Sequence, residues 1–395
     1  MRARTVLLFG TKFDMVARLK SLGLKVVLVD EVKNSEADIS LIVDGPKASL
    51  GDYNVQDFER FQGQIDGVIV CLEDYVELAA ATRERYFKHL LGITLSQARV
   101  VRDKYLLKKF LQENSIPVAK FSEIDSFERL KEQLGLPFII KPRLGYLAQG
   151  IEIVSSKSEF EKWYSVSQDK LAIFYAEEFI RNPIEYCCDT IVASSQVVVQ
   201  FPGEYTVNCL ESNKTHKGFG VNFPGFLPIE KLEEIKLYTR KFIEKLGVTD
   251  GFFHTEFLWD GEKWYFGESG CRLPGGLQIP VQSYMSGLDI LDYYIKMFVS
   301  ELRPKEIVPV KIFRKAYAGY YLYPKHAGIV EKIENNIHGT PGILNSAVYI
   351  SEGDVVDHED SSVSMVANVI YEAESQNDLK EWTLKAPELF KVKYR

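Results

Sequence analysis

Residues 252–276, FFHTEFLWDGEKWYFGESGCRLPGG, set Glu256 and Glu268 on two apolar-rich runs joined by Asp260-Gly261. Aromatics at short spacing on either side of an Asp-Gly turn signal predict two antiparallel β-strands. Arg272 and the turn Leu273-Pro274-Gly275-Gly276 follow at once. Two carboxylates on one sheet face, with a cation beyond them, suit magnesium and a polyphosphate. Magnesium takes one or two carboxylates plus substrate phosphates rather than an all-protein cage. Register decides whether the two acids share a face. A tight two-residue hairpin at Asp260-Gly261 would pair residue 256 with residue 265 and turn Glu268 to the opposite face. A bulged or longer turn centred on residue 262 would set the glutamates directly opposite each other, and that turn is the one expected. The alternative is a hairpin whose acids face solvent.

At 395 residues the chain has room for two or three subdomains and a substantial core. Hydrophobic residues at 46% and charged residues at 26% describe an ordinary globular protein. A net charge of −7 argues against nucleic acid or an anionic membrane as a general partner. No apolar run approaches the roughly 18 residues of a spanning helix, and a strand pattern from Val6 onward leads us to expect no signal peptide. Cys71, Cys187, Cys188, Cys209 and Cys271 have no zinc-type spacing. Reduced thiols in a cytoplasmic protein are expected.

The first hundred residues alternate strand signals (Val6–Phe9, Lys25–Asp30, Ile39–Val43, Gly67–Cys71) with helical ones (Met15–Leu22, Val55–Phe61, Val76–Leu90). This alternation predicts a doubly wound parallel sheet. Its first turn, Phe9-Gly10-Thr11-Lys12, lacks the glycine fingerprint of a dinucleotide site. Ligands on such sheets lie beyond the carboxyl ends of strands, so Glu73 and Asp74 are candidates to contact an amino group; a solvated loop pair is the alternative. Residues 96–118 read as one capped helix with a basic face, carrying Lys104 and ending at Asn114. FIIKPRLGYLAQGIEI, residues 138–153, reads as strand, glycine loop, strand. Lys141 closes the first strand, and Gly145 and Gly150 bracket a loop whose amides could cover phosphates. After a strand-like run at Leu171–Tyr175, Glu178–Ile180 would suit an adenine-reading connector and Glu185 a ribose contact. Residues 201–227 read as a loop-dominated insertion with Lys214, His216 and Lys217. Helices are expected over 228–246, stopped by Gly247, and over Leu288–Val299. From Val308 onward short strands and turns predict a β-rich tail, with His358–Asp360 in a solvated loop.

Taken in order, Arg102-Asp103-Lys104, KPRLGYLAQGI, EEFI with Glu185, and HTEF…FGESGCRLPGG make the chain resemble the ATP-grasp superfamily over about residues 95–300. The His-Thr-Glu triplet and Arg-Leu-Pro-Gly-Gly turn most resemble L-amino-acid ligases of the dipeptide synthetase type. The resemblance implies a mixed α/β and α+β chain with the ATP-grasp fold. Its parts would be an N-terminal α/β domain over 1–95, a two-part ATP-binding region over 96–300 with a lid at about 115–180, and a C-terminal β-rich subdomain over 301–395. It also implies ATP with magnesium or manganese. Lys104 and Lys141 would contact phosphates, and Arg143 to Gly150 would form the lid loop. Glu177, Glu178 and Ile180 would bind adenine, and Glu185 ribose. Glu256 and Glu268 would hold the metal. Arg272, with Lys141, would act on the substrate carboxylate and its acyl phosphate, while Glu73, His254, Gly275 and Gly276 would shape the substrate site. The implied reaction is amide formation from an amino acid or other carboxylate and an amine. A thiol ligase acting on an acyl carrier protein and a non-catalytic nucleotide-binding protein are the alternatives, and a homodimer is compatible. Two positions depart from the family pattern: Gly270 stands where an asparagine ligand is usual, and Ala148-Gln149 where the lid usually has a serine. Water can fill a vacant ligand position on magnesium.

Overall fold

A computed structural model describes residues 4–43, 54–145, 150–299, 309–310, 313–357 and 365–395. The valine- and leucine-rich runs near the N-terminus form β1 (Thr5–Phe9), β2 (Lys25–Asp30), β3 (Ile39–Ile42) and β4 (Gly67–Val70). They make a parallel sheet in the order β3-β2-β1-β4, with α1 (Met15–Ser21) following β1 and α2 (Val76–Tyr86) following β4. Nearly continuous apolar strands are what a sheet covered on both faces requires; β1 and β2 have that character, with Val6 to Phe9 and Val26 to Val29 all buried.

The segment predicted as one helix is two. α3 (Leu95–Arg102) opens on a capping box between Thr94 and Gln97, and Asp103 breaks the run. The Asp103 carboxylate accepts the N–H groups of Tyr105 and Leu106 at 3.0 and 3.1 Å and so caps α4 (Lys104–Glu113). An aspartate that can satisfy free amides favours a helix start over a helix interior.

Next come β5 (Phe121–Glu123), α5 (Phe127–Leu134), β6 (Phe138–Pro142), β7 (Glu152–Val154), α6 (Lys157–Ser167) and β8 (Phe174–Glu178). The four strands form an antiparallel sheet in the order β5-β8-β6-β7. Strand, glycine loop and strand therefore occur as expected at 138–153, with loop residues 146–149, Ala148 and Gln149 among them, outside the described residues. The run at Leu171–Tyr175 is strand only from Phe174, because a 3-10 turn occupies Gln168–Ile173.

The remainder contains β9 (Ile184–Ala193), β10 (Gln196–Tyr205), α7 (Cys209–Thr215), β11 (Phe219–Phe223), α8 (Ile229–Leu246), β12 (Gly251–Trp259), β13 (Trp264–Gly270), α9 (Gln278–Ser286) and α10 (Ile290–Phe298). It ends with β14 (Tyr317–Pro324), β15 (Gly328–Asn335), β16 (Ile343–Val348), β17 (Val355–Val356), β18 (Met365–Ala373), α11 (Gln376–Lys385) and β19 (Phe390–Tyr394). An eight-stranded sheet runs β13-β12-β9-β10-β11-β14-β18-β16, and a small one β17-β15-β19. Three strands of the expected β-rich tail thus complete the large sheet. His358–Asp360 lies outside the described residues.

The expected loop at 201–227 is corrected: it holds the end of β10, the helix α7 and the buried strand β11. Its glycines mislead. A Cβ on Gly220 would lie 1.7 Å from the carbonyl oxygen of Tyr320 on β14, so glycine marks close strand packing there, not a turn.

Along β12, Phe253, Phe257 and Trp259 pack toward α8 with Phe266 and Phe242, in edge-on contacts such as Phe257–Phe266 at 4.9 Å. Burying each such ring contributes roughly 1.5–3 kcal/mol. Alternation sends the other face of β12, with His254, Glu256 and Leu258, into a cavity of about 660 Å³.

Candidate active site

The hairpin register is the expected one. β12 and β13 pair as Trp259↔Trp264, Leu258↔Tyr265 and Phe257↔Phe266 around a loop from Asp260 to Lys263, then as Thr255↔Ser269 and His254↔Gly270 after a register shift. Gly267 and Glu268 both therefore oppose Glu256, which is a β-bulge. The longer loop is built by Asp260, whose carboxylate accepts the amides of Glu262 and Lys263, each at 2.9 Å. Glu256 and Glu268 both line the cavity.

Two lysines line the same cavity. Lys104, the first residue of α4, lies 3.1 Å from the Glu268 carboxylate and donates to the Gly145 carbonyl at 2.6 Å. Lys141 on β6 pairs with Glu177 on β8 at 2.9 Å. Glu177 is gripped from its other side by Lys108, at 2.7 Å, and by the Tyr175 hydroxyl at 3.0 Å. Burial opposes the charge on Glu177, yet Lys108 and Lys141 hold its carboxyl down at about 2. Glu178 accepts the Lys120 amide at 3.2 Å, and the strand ends there, leaving Phe179 and Ile180 as the connector along the cavity wall.

Arg143 and Gly150, the ends of the loop the resemblance assigns to the lid, are not among the residues that line the cavity. The Arg143 guanidinium turns onto Asp103 at 2.6 and 3.0 Å and over the Tyr105 ring, because that buried carboxylate offers a bidentate partner. Gly150, just before β7, is at φ +69°, where a Cβ would meet Pro142.

Arg272 reaches from the end of the hairpin to the N-terminal sheet, donating to Glu73 from Nε and Nη2 at 2.9 and 2.6 Å. The other Glu73 oxygen takes the buried Arg102, which also holds Asp74 at 3.1 Å. Burial disfavours the Glu73 charge, but the two arginines drive its carboxyl well below the usual range. Glu73 and Asp74, read from the sequence as facing an amino group, face guanidinium groups.

On the cavity face of β12, His254 stands directly opposite Asp189 of β9 and bonds it through Nδ1 at 2.6 Å, while its Nε2 lies 3.2 Å from Glu256. Burial alone would lower the imidazole, but Asp189 and then Glu256 raise it to about 9. Gln282 of α9 donates to the second Asp189 oxygen, and Tyr205 donates to Glu256 at 3.1 Å. Glu185 accepts the Cys209 amide at 2.6 Å; burial and the neighbouring Glu256 push its carboxyl up to about 8. Burial also raises Glu268, with Lys104 opposing and Glu256 adding to the shift. Glu185, Cys209 and Glu256 offer ligand atoms mutually within 4.8 Å. Buried Glu185 with half-buried Glu256 and Glu268 is a fitting oxygen-donor set for a hard divalent cation.

Lys108, Asp189 and Tyr205 were missed by sequence reasoning, and Arg102 and Asp103, though part of the Arg102-Asp103-Lys104 motif, were given no role. Lys108 had a signal: it lies one turn after Lys104, on the same helix face as the buried Leu111. Asp189 and Tyr205 act through partners far away in the chain. All five cysteines are free, with Cys71, Cys187 and Cys188 buried. No helix among the described residues is long and apolar enough to cross a membrane.

The family model of the ATP-grasp domain matches residues 109–273. The L-arginine-specific L-amino acid ligase of Bacillus subtilis is 24% identical over 333 residues, 80% of this chain and 78% of that protein. Among solved structures, an L-amino acid ligase from Bacillus licheniformis superposes with a TM-score of 0.78 over 100% of both chains at 18% identity. The biotin carboxylase domain of Hydrogenobacter thermophilus 2-oxoglutarate carboxylase, solved with MgADP, gives 0.72 over 100% of this chain and 92% of that one at 17% identity. The structural likenesses establish the fold.

Proposed function

Because the chain carries an ATP-grasp domain in an ATP-grasp fold, we propose that it is an ATP-dependent carboxylate–amine ligase with an amino-acid substrate. The observation that carries this reading is the bulge that sets Glu256 and Glu268 on one face, beside Lys104 and in the same cavity as Arg272. A carboxylate oxygen of the acid attacks the γ-phosphorus of ATP, and ADP leaves. The amine nitrogen then attacks the acyl carbon; inorganic phosphate departs, the nitrogen loses a proton, and an amide forms. The similarity to an L-amino acid ligase supports an amino acid as the acid.

Phosphoryl transfer asks the protein for positioning and charge neutralisation rather than a covalent nucleophile. Lys104 and Lys141 take the phosphates, and the connector at Glu178 to Ile180 takes the adenine. Glu177 keeps Lys141 extended toward the phosphates, and Glu185 lies on the ribose side. Arg272, steadied by Glu73, presents a planar fork to the carboxylate and to the acyl phosphate made from it. His254 and the Gly275-Gly276 turn border the same substrate space. Glu256 and Glu268 would hold magnesium, which supplies charge neutralisation to the transferring phosphoryl group when bound. The loop from Arg143 to Gly150 would close over the phosphates, with Arg143 anchoring its root on Asp103, and exclude water that hydrolyses acyl phosphates.

The test is ADP and phosphate release across amino acids, singly and in pairs. Release should require both an acid and an amine; AMP and pyrophosphate as products would reject the mechanism. Glu268→Ala and Arg272→Ala should each abolish turnover with circular dichroism unchanged, and wild-type rates in either would reject the site.

A further inference from the structure

Lys12 is a cavity cation to which the mechanism above gives no part. It sits in the turn after β1 and crosses to the hairpin end, donating from Nζ to the carbonyl of Pro274 at 3.2 Å. The ammonium lies over Gly275, 4.0 Å from where a Cβ on that residue would be. Phe13 and Asp14, which follow it, both hold positive φ, +56° and +51°. Two successive non-glycine residues in the left-handed region are costly backbone, and such cost persists where it aims a functional group.

Lys214 also lines the cavity but is exposed; among the other cavity cations the charge pattern sets Lys12 apart. Lys104, Lys141 and Arg272 each face a carboxylate: Glu268, Glu177 and Glu73 in turn. Lys12 has a backbone carbonyl and, among the described residues, no ion pair. Burial, with repulsion from Arg272, lowers its ammonium to about 8. It also stands apart from the phosphate lysines, beside Cys71 and Gly275 rather than Glu177 and Glu268.

We propose that Lys12 receives the free carboxylate of the amine-bearing substrate, so that this substrate is itself an amino acid rather than a simple amine or a carrier-bound thiol. The proposal rests on the ligase reading above. In such a condensation the first substrate gives up its carboxylate to activation at Arg272. An acceptor amino acid keeps its own carboxylate and must bring that charge into the cavity. A buried anion needs a dedicated cation, and Lys12 lies near Arg272 with a backbone carbonyl, not a carboxylate, as its hydrogen-bond partner.

The experiment takes the acceptor found by the ADP-release screen and compares it with its own carboxamide and its decarboxylated amine, neither of which can act as the acid. It uses wild type, Lys12→Met and Lys12→Arg. In wild type, KM for the carboxamide should exceed that for the amino acid by about 10- to 100-fold, the usual effect of a charge-assisted hydrogen bond. Lys12→Met should raise KM for the amino acid by a similar factor, leave KM for the carboxamide unchanged and move kcat little. Lys12→Arg should restore most of the preference. Equal use of amino acid and carboxamide by wild type, an unchanged KM in Lys12→Met, or turnover only with a carrier-protein thiol overturns the role of Lys12 while ATP-driven acyl transfer stands. No ADP release from any pair overturns the ligase reading, and this inference with it.

Discussion

Glu177 offers a quantitative test of how the phosphate-binding lysines are held. Its side chain is 4% exposed, and it is shared by Lys108, whose side chain is 1% exposed, and Lys141. Lys108 and Lys141 outweigh burial and hold the carboxyl at about 2, below its ordinary 4.5, so the native state favours the charged form by roughly 3 kcal/mol. Glu177→Gln keeps the shape, removes the charge and leaves two cations facing each other; loss of one partner from a buried pair costs about 3–5 kcal/mol, in agreement. The sign follows from the depressed native pKa. The contribution is complete above pH 4.5 and is lost as pH falls through about 2. By linkage more than half of it is gone at pH 3.

Urea unfolding of wild type and Glu177→Gln at pH 7 and pH 3 measures this. The gap between them should be about 3 kcal/mol at pH 7 and should narrow to less than half of that at pH 3. Adding Lys108→Met to Glu177→Gln removes one uncompensated cation and should recover more than about 1 kcal/mol, a coupling expected only of residues in contact. A gap below about 1 kcal/mol at pH 7, or one independent of pH, would refute the reasoning.

Two further outcomes follow from other parts of the site. Asp103 both caps α4 and clamps Arg143, so Asp103→Ala should lose about 1 kcal/mol from the cap and a further contribution from the clamp. Asp103→Asn should keep the cap, and both variants should show faster proteolysis in the lid loop; equal cleavage in wild type and variants counts against the clamp. Chelation with EDTA should abolish ADP release, and magnesium or manganese should restore it in wild type but not in Glu268→Ala, with activity that persists in EDTA as the contrary result.

What could be read from the chain was what lies close together in it. The hairpin register followed from parity, because Glu256 and Glu268 can share a face only across a bulge or a longer loop. Lys141 and its glycine loop followed from a strand running into Lys-Pro. What escaped depends on pairings that no local pattern encodes. His254 is oriented, and its imidazole raised, because β9 lies beside β12 in the register that sets Asp189 opposite it, 65 positions away. Arg272 is fixed by Glu73, 199 positions away, and Lys108 by Glu177, 69 positions away. The strand β11 was hidden by glycines that exist to admit β14, and the break at Asp103 by a helical pattern continuing on both sides of it. Local periodicity reports which faces are apolar, not which distant acid a buried cation has found.

Gly270 illustrates the same limit from the opposite direction. Against the family pattern it reads as a lost metal ligand. In the fold, a Cβ there would lie 3.3 Å from both Cγ and Nε of Arg272, so glycine leaves room for the arginine stem to fold back onto Glu73. A side chain at 270 must displace that stem by a few tenths of an ångström, and two hydrogen bonds to Glu73 resist the movement. Gly270→Ala should therefore leave the fold intact and lower kcat/KM for the acid several-fold, by about tenfold at most, since Arg272 is shifted rather than removed. Pairing it with Glu73→Gln, which loosens the grip, should bring less than the product of the two single losses. An alanine variant with wild-type kcat/KM would show that Arg272 does not need the space, and the glycine would then be no more than an absent ligand.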